Sequence, residues 1–116
     1  MKKINILKNS RDFDRIIKKY KPYKYKDYII YLERDTNDVY KFGISVGKKI
    51  GKAVVRNKYK RRIKNIIDEK NYQNNFNCII IVGKGINERT FEERKENLLI
   101  ALKNLNLMKE KVHEEK

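Results

Sequence analysis

Cations crowd one stretch of this chain, GKKIGKAVVRNKYKRRIK, which begins at Gly47. Between Lys48 and Lys64 nine residues are Lys or Arg (48, 49, 52, 56, 58, 60, 61, 62 and 64) and none is acidic. Such a density repels itself and destabilises a compact fold unless a polyanion faces it. Arg56 and Arg61 can each hold a phosphate with two parallel N–H bonds, and Lys60 and Lys64 act as point charges beside them. Asn57 carries both donors and an acceptor, so it can meet a base or ribose edge. Backbone N–H groups at the Gly51 turn and at the helix start near Lys52 can cradle a further phosphate. The chemistry is polyanion binding, and RNA fits it best. The bland alternative is a solvated basic face in a chain rich in Lys, Ile and Asn. A bias toward Lys would not raise Arg, nor gather Arg56, Arg61 and Arg62 together.

A catalytic apparatus is not legible. The one histidine, His113, lies in the expected C-terminal tail, so a Ser-His or Cys-His nucleophile pair is not expected. Metal-dependent nucleases need several convergent carboxylates. Asp12 and Asp14 read as first-turn helix residues, Asp35 and Asp38 as turn residues, and Asp68 with Glu69 as a helix end. No catalytic residue and no protein-bound metal is therefore expected. Gly47-Lys48-Lys49-Ile50-Gly51 lacks the spacing of a nucleotide-binding phosphate loop.

The whole chain, at 116 residues with a formal charge of +15 and 40% hydrophobic residues, is the size of one domain with a modest core. Cys78 is the single cysteine, which rules out an internal disulfide and reads as a buried thiol. No run approaches the ~20 apolar residues of a membrane span. The start MKKINILKNS has no apolar signal region, so a cytoplasmic location is expected. No helix pairs its cations with a broad exposed apolar face, so a membrane partner is not expected.

The elements that must position the cations follow from periodicity. Ser10 is the expected cap of a first helix, whose apolar face is Phe13, Ile16, Ile17 and Tyr20. From Tyr28 the residues alternate, with Tyr28, Ile30 and Leu32 on one side and Ile29, Tyr31 and Glu33 on the other. Val39–Val46 alternates again, with Tyr40, Phe42, Ile44 and Val46 inward, and an antiparallel hairpin of the two strands is expected. The basic helix spans about Lys52 to Lys70, with Val55, Tyr59, Ile63, Ile66 and Ile67 as its buried stripe. Asn77–Val82 is a continuous apolar run, as in a strand covered on both faces. Thr90 and Glu93 form a capping box for a last helix with Phe91, Leu98, Leu102 and Leu105 inward, and 109–116 reads as a frayed tail. The expected fold is an α+β two-layer sandwich of order α-β-β-α-β-α, with room for one extra short strand and helices packed on a small mixed sheet. Phe13 and Ile17 on the first helix, with Ile29 and Tyr31 on the first strand, either share a groove suited to single-stranded RNA or are simply core.

The central stretch also carries a resemblance. Residues 43–64, GISVGKKIGKAVVRNKYKRRIK, resemble the signature of the protein subunit of bacterial ribonuclease P, which is close to G-[LIF]-S-V-S-K-K-x-G-x-A-V-x-R-N-x-x-K-R-x-[IL]-[RK]. Gly43, Ser45, Val46, Lys48, Lys49, Gly51, Ala53, Val54, Arg56, Asn57, Lys60 and Arg61 match without a gap. Leu7, Asp12-Phe13 and Ile16/Ile17 resemble the family's opening, and Tyr28–Tyr31 and Ile79–Val82 sit where its strands belong. Gly47 departs from the usual Ser, Lys52 from the frequent Asn, and Ile17 from a frequent aromatic.

The resemblance implies a non-catalytic subunit of a ribonucleoprotein endonuclease that removes the 5′ leader from precursor tRNA. Lys48, Lys49, Lys52, Arg56, Asn57, Lys60, Arg61 and Lys64 would bind the catalytic RNA. Phe13, Ile17, Ile29 and Tyr31 would hold the single-stranded leader. The RNA with its Mg2+ would perform the cleavage, with one protein per RNA, and the β-α-β crossover would be left-handed, against the usual rule. A general RNA-binding module and a stand-alone nuclease are the competing readings. A DNA-reading helix-turn-helix fits less well, because strands flank the basic helix.

Overall fold

The computed structural model describes residues 1–109; the rest of the expected tail, with His113, lies outside the described residues. Three helices and four strands follow in the order α1 (Ser10–Lys19), β1 (Tyr23–Tyr25), β2 (Tyr28–Arg34), β3 (Lys41–Val46), α2 (Ala53–Asp68), β4 (Phe76–Val82) and α3 (Phe91–Asn104). Short 3-10 turns at Lys3–Asn5 and Lys84–Glu88 precede α1 and α3. The α+β order read from the sequence therefore holds, with β1 as its extra strand.

The sheet runs β1-β2-β4-β3. Strand β2 pairs antiparallel with β1 and β4, and β3 pairs parallel with β4. The expected hairpin of β2 with β3 does not form, because β4 lies between them. Cys78, Ile79 and Ile80 are each fully buried, so β4 carries apolar side chains on both faces and is best placed centrally. The Asp35–Asp38 segment, read as a turn, instead bonds to the approach of β4. Asp35 N donates to Asn75 O at 2.9 Å, and Asn75 N to Asp38 O at 2.8 Å. Asp35, Asn37 and Asn75 take the left-handed backbone conformation these turns need, with φ of 61°, 57° and 76°, which Asn and Asp tolerate best among side-chain-bearing residues.

Alternation along the strands divides the apolar residues between two faces. On one face Tyr28, Ile30, Phe42, Val46, Phe76, Cys78, Ile80 and Val82 pack with Tyr59, Ile63, Ile66 and Ile67 of α2 and Leu98, Ala101 and Leu102 of α3. Tyr40 and Ile44, expected inward, are half-buried against this cluster. On the other face α1 lies across the sheet and seals Ile16, Leu7 and Ile79 into a smaller cluster.

Three local readings are corrected. Asn9 rather than Ser10 caps α1: its side chain accepts from Arg11 N at 2.9 Å, and Asn is as good a cap as Ser. Val55 is 39% exposed because it lies over the turn rather than the core; a Cβ on Gly51 would sit 3.0 Å from Val55 Cγ1. Phe91, in the first turn of α3, is 45% exposed and meets Arg62, whose guanidinium carbon lies 5.6 Å from the ring centroid. The capping box is present as read, with Glu93 N donating to Thr90 Oγ1 at 3.1 Å and Thr90 N to Glu93 Oε1 at 2.8 Å.

Candidate nucleic-acid interface

The basic helix follows directly from β3 through a turn whose Ile50 N donates to Gly47 O at 3.1 Å. Ile50 is buried and anchors the turn, while Gly47, Lys48 and Lys49 before it face solvent. Asn87 fixes this turn from the opposite side. It donates to Ile50 O at 2.9 Å and accepts from Tyr59 Oη at 2.6 Å, tying the turn to α2. Arg94 closes the same corner, with its guanidinium carbon 4.9 Å from the Tyr59 ring centroid and its Nε bonded to Ile86 O at 3.1 Å.

Burying Tyr59, Ile63, Ile66 and Ile67 aims the cations of α2 outward. Asn57 and Arg61 are exposed opposite the buried stripe, and Arg56, Lys60 and Lys64 are half-buried on one flank. Lys52 stands at the helix entrance; no side chain caps the helix there, and its first turn holds no acid. Among the described residues, none of Lys48, Lys49, Lys52, Arg56, Lys60, Arg61 and Lys64 forms an ion pair. Arg56 Nε is shielded from solvent and has no hydrogen-bond partner among the described residues, an arrangement that costs stability until an acceptor arrives. The turn and the solvent side of α2 thus carry all eight residues singled out, each at least partly exposed.

The second set lies under α1. Phe13, Ile17 and Tyr31 are half-buried and pack together against Ile16 and Ile79. Strand register resolves the sheet beneath them into rows. Tyr31, Ile79 and Gly43 are directly opposed, and the distal end of the Phe13 ring rests on Gly43. The next row is Lys24, Ile29, Ile81 and Ser45, one residue from each strand. Ile29, Ile81 and Ser45 are half-buried and Lys24 is exposed, so this row is the open floor of a cleft. The floor ends at Ser45, two residues before the basic turn.

On the other side of the Tyr31 row the surface is polar, a small hollow lined by Arg15, Glu33, Lys41 and Asn77. Glu33, only 8% exposed, pairs with both terminal nitrogens of Arg15, one at 3.1 Å. It also accepts from Asn77 Nδ2 at 2.8 Å. The Arg15 guanidinium, aided by Asn77, holds the Glu33 carboxyl below the usual glutamate range against the opposing effect of its burial. Burial alone pushes the Cys78 thiol up, so Cys78 is an inert core group. Among the described residues no three His, Cys, Asp or Glu converge as metal ligands, and no helix is long and apolar enough to cross a membrane.

Sequence reasoning missed Tyr20, Lys24, Ser45 and Ile81 as parts of the cleft. Tyr20 carried a signal, since it lies seven residues after Phe13 on the same helical face. Ile81 carried one through its two-residue spacing from Ile79. Lys24 and Ser45 needed the strand register.

Fold and surface together define a small α+β RNA-binding domain with a cationic helix beside an apolar cleft. Known proteins of this kind match it closely. The family model described as Ribonuclease P matches residues 1–106. The Ribonuclease P protein component of Bacillus pumilus is 38% identical over 101 residues, covering 84% of this chain and 85% of that protein. The corresponding protein of Streptococcus pyogenes is 36% identical over 104 residues, covering 89% of this chain and 87% of that one. Among solved structures, the RNase P protein of Staphylococcus aureus superposes with a TM-score of 0.81 at 28% identity, covering 92% of this chain and all of that one. The RNase P protein of Thermotoga maritima superposes with a TM-score of 0.74 at 29% identity, covering 84% and 94%. The chain belongs to the ribonuclease P protein family.

Proposed function

We propose that this chain is the protein component of a ribonuclease P that removes the 5′ leader from precursor tRNA in the cytoplasm, one copy bound to each catalytic RNA. The observation that carries the reading is the continuity of two surfaces. A cationic helix and turn, without ion pairs among the described residues, stand at one end of an apolar face beside α1 on which Ile29 and Ile81 are half-buried.

Lys48, Lys49, Lys52, Arg56, Asn57, Lys60, Arg61 and Lys64 bind the catalytic RNA, with phosphate contacts supplying the affinity and Asn57 a base or ribose edge. Phe13, Ile17, Ile29 and Tyr31 hold the leader by stacking and apolar contact, while cations beside the cleft follow its backbone. Mg2+ bound in the RNA would supply an activated water and stabilisation of the developing charge. Among the described residues no three His, Cys, Asp or Glu side chains converge, and Glu33, the buried carboxylate beside the cleft, is already held by Arg15 and Asn77. The chain's own contribution is to neutralise charge between two RNAs and to position the leader, and the cleavage belongs to the RNA.

Binding separates the two surfaces. Arg56→Ala with Arg61→Ala lowers the salt slope of RNA-subunit binding by about two; an unchanged slope overturns the role of this helix. In the holoenzyme, Tyr31→Leu weakens leader-bearing precursor tRNA by roughly tenfold and leaves mature tRNA unchanged. Equal losses for both substrates overturn the leader cleft.

A further inference from the structure

The α1 cleft continues past Phe13, Ile17, Ile29 and Tyr31. Tyr20 lies seven residues beyond Phe13, on the same face and roughly 10 Å further along the helix axis. It is half-buried against the same Leu7–Ile16–Ile79 cluster. Lys19 Nζ stands 5.4 Å from the Tyr20 ring centroid. A solvated ammonium reaches a ring in this way only where a face of the ring is open.

Strand β1 supplies a cation to the same face. Lys24 is directly opposed to Ile29 and is exposed. Its neighbours Tyr23 and Tyr25 alternate to the other face, where they pack on the main core, and Tyr23 Oη accepts from Asn104 Nδ2 at 2.9 Å. Lys24 is therefore the residue of β1 that faces the cleft. The cations at the row beyond Tyr31 are already compensated, Arg15 by Glu33 and Lys41 by Asp38.

We propose that Tyr20 and Lys24 form a second leader station. The Tyr20 ring stacks one further base of the single-stranded leader and Lys24 holds an adjoining phosphate. Lys19 turns from the ring to the RNA backbone when the base arrives. The station rests on the reading of the cleft as the leader groove. It supplies an aromatic platform one helical turn from Ile17, a side chain too narrow to stack a base. Its consequence is a dependence on leader length, since only a leader long enough to pass Tyr31 reaches it.

The test uses the reconstituted holoenzyme and three substrates: precursor tRNA with a long leader, precursor tRNA with a short leader, and mature tRNA. Tyr20→Leu should weaken long-leader binding about tenfold, the scale of one base–aromatic stack, with the other two substrates unchanged. Tyr20→Phe should bind as the parent protein does. Lys24→Gln should lower the salt slope of long-leader binding alone by about one. Equal losses on all substrates, or no loss, for Tyr20→Leu while Tyr31→Leu stays leader-selective would overturn the second station and spare the cleft. Loss of leader selectivity in neither variant would overturn both. Should Tyr20→Leu fail to fold, the exposed Lys24 decides: an unchanged slope for Lys24→Gln overturns the station.

Discussion

The distal end of the Phe13 ring points into the backbone of Gly43, so closely that a Cβ built there would lie 2.9 Å from Phe13 Cε1 and 3.2 Å from Cε2. Real Cβ atoms essentially never come nearer than 3.0 Å to a neighbour. The glycine that opens the G-I-S-V stretch therefore sets how deeply α1 seats its aromatic on the sheet.

Gly43→Ala should push Phe13 toward the open cleft. Phe13 is half-buried and has room to move, so the stability cost should be about 1 kcal/mol, the low end for overpacking. Leader-bearing precursor tRNA should bind less tightly while RNA-subunit affinity is unchanged. Urea unfolding and binding to leader-bearing and mature tRNA check this together. Unchanged leader binding would show that Phe13 is only a core residue.

Gly47→Ser should be tolerated. A Cβ at Gly47 meets nothing within 4 Å, and the residue does not take the left-handed conformation. Stability should change by less than about 0.5 kcal/mol, as for other surface substitutions. Thermal unfolding of the variant measures it directly.

Asn87→Ala should loosen the basic turn. It removes the acceptor of the buried Tyr59 hydroxyl and the donor to Ile50 O together. Leaving such groups unpaired costs on the order of 1–3 kcal/mol. RNA-subunit affinity should fall although Asn87 itself is not assigned to the RNA surface. A filter-binding titration on protein shown to be folded by circular dichroism separates the two effects.

Acid should expose the role of Glu33. Its carboxyl in the folded chain titrates below the ordinary 4.5, chiefly through the Arg15 hydrogen bonds. A lowered native value stabilises the fold above the unfolded-state value and stops doing so as pH falls through the native one. The stability lost on Glu33→Gln should therefore be complete at neutral pH and should shrink as the pH drops below 4.5. Urea midpoints of both proteins across that range test the sign; a gap that widens in acid would contradict it.

What the sequence made legible was local. The turn and the basic helix form from consecutive residues, so the buried positions Tyr59, Ile63, Ile66 and Ile67 determine where Arg56, Lys60, Arg61 and Lys64 point. Strand order was not legible, because the place of β4 between β2 and β3 is decided by long-range pairing that neighbouring residues do not encode. The cleft was half legible for the same reason. Periodicity placed Phe13, Ile17, Ile29 and Tyr31 on apolar faces but left groove and core open, and only the family resemblance assigned them to a cleft; the row Lys24–Ile29–Ile81–Ser45 exists only once the register is fixed. The Arg15–Glu33 pair joins a helix to a strand, and neither residue signals the other in the sequence.

Cleavage of precursor tRNA at low magnesium, by the ribonuclease P RNA with and without this protein, tests the central claim most directly. RNA alone and protein alone are the controls. The account predicts strong cleavage in the mixture, little with RNA alone and none with protein alone. Cleavage by the protein alone, or no stimulation of the RNA despite tight binding, would contradict it.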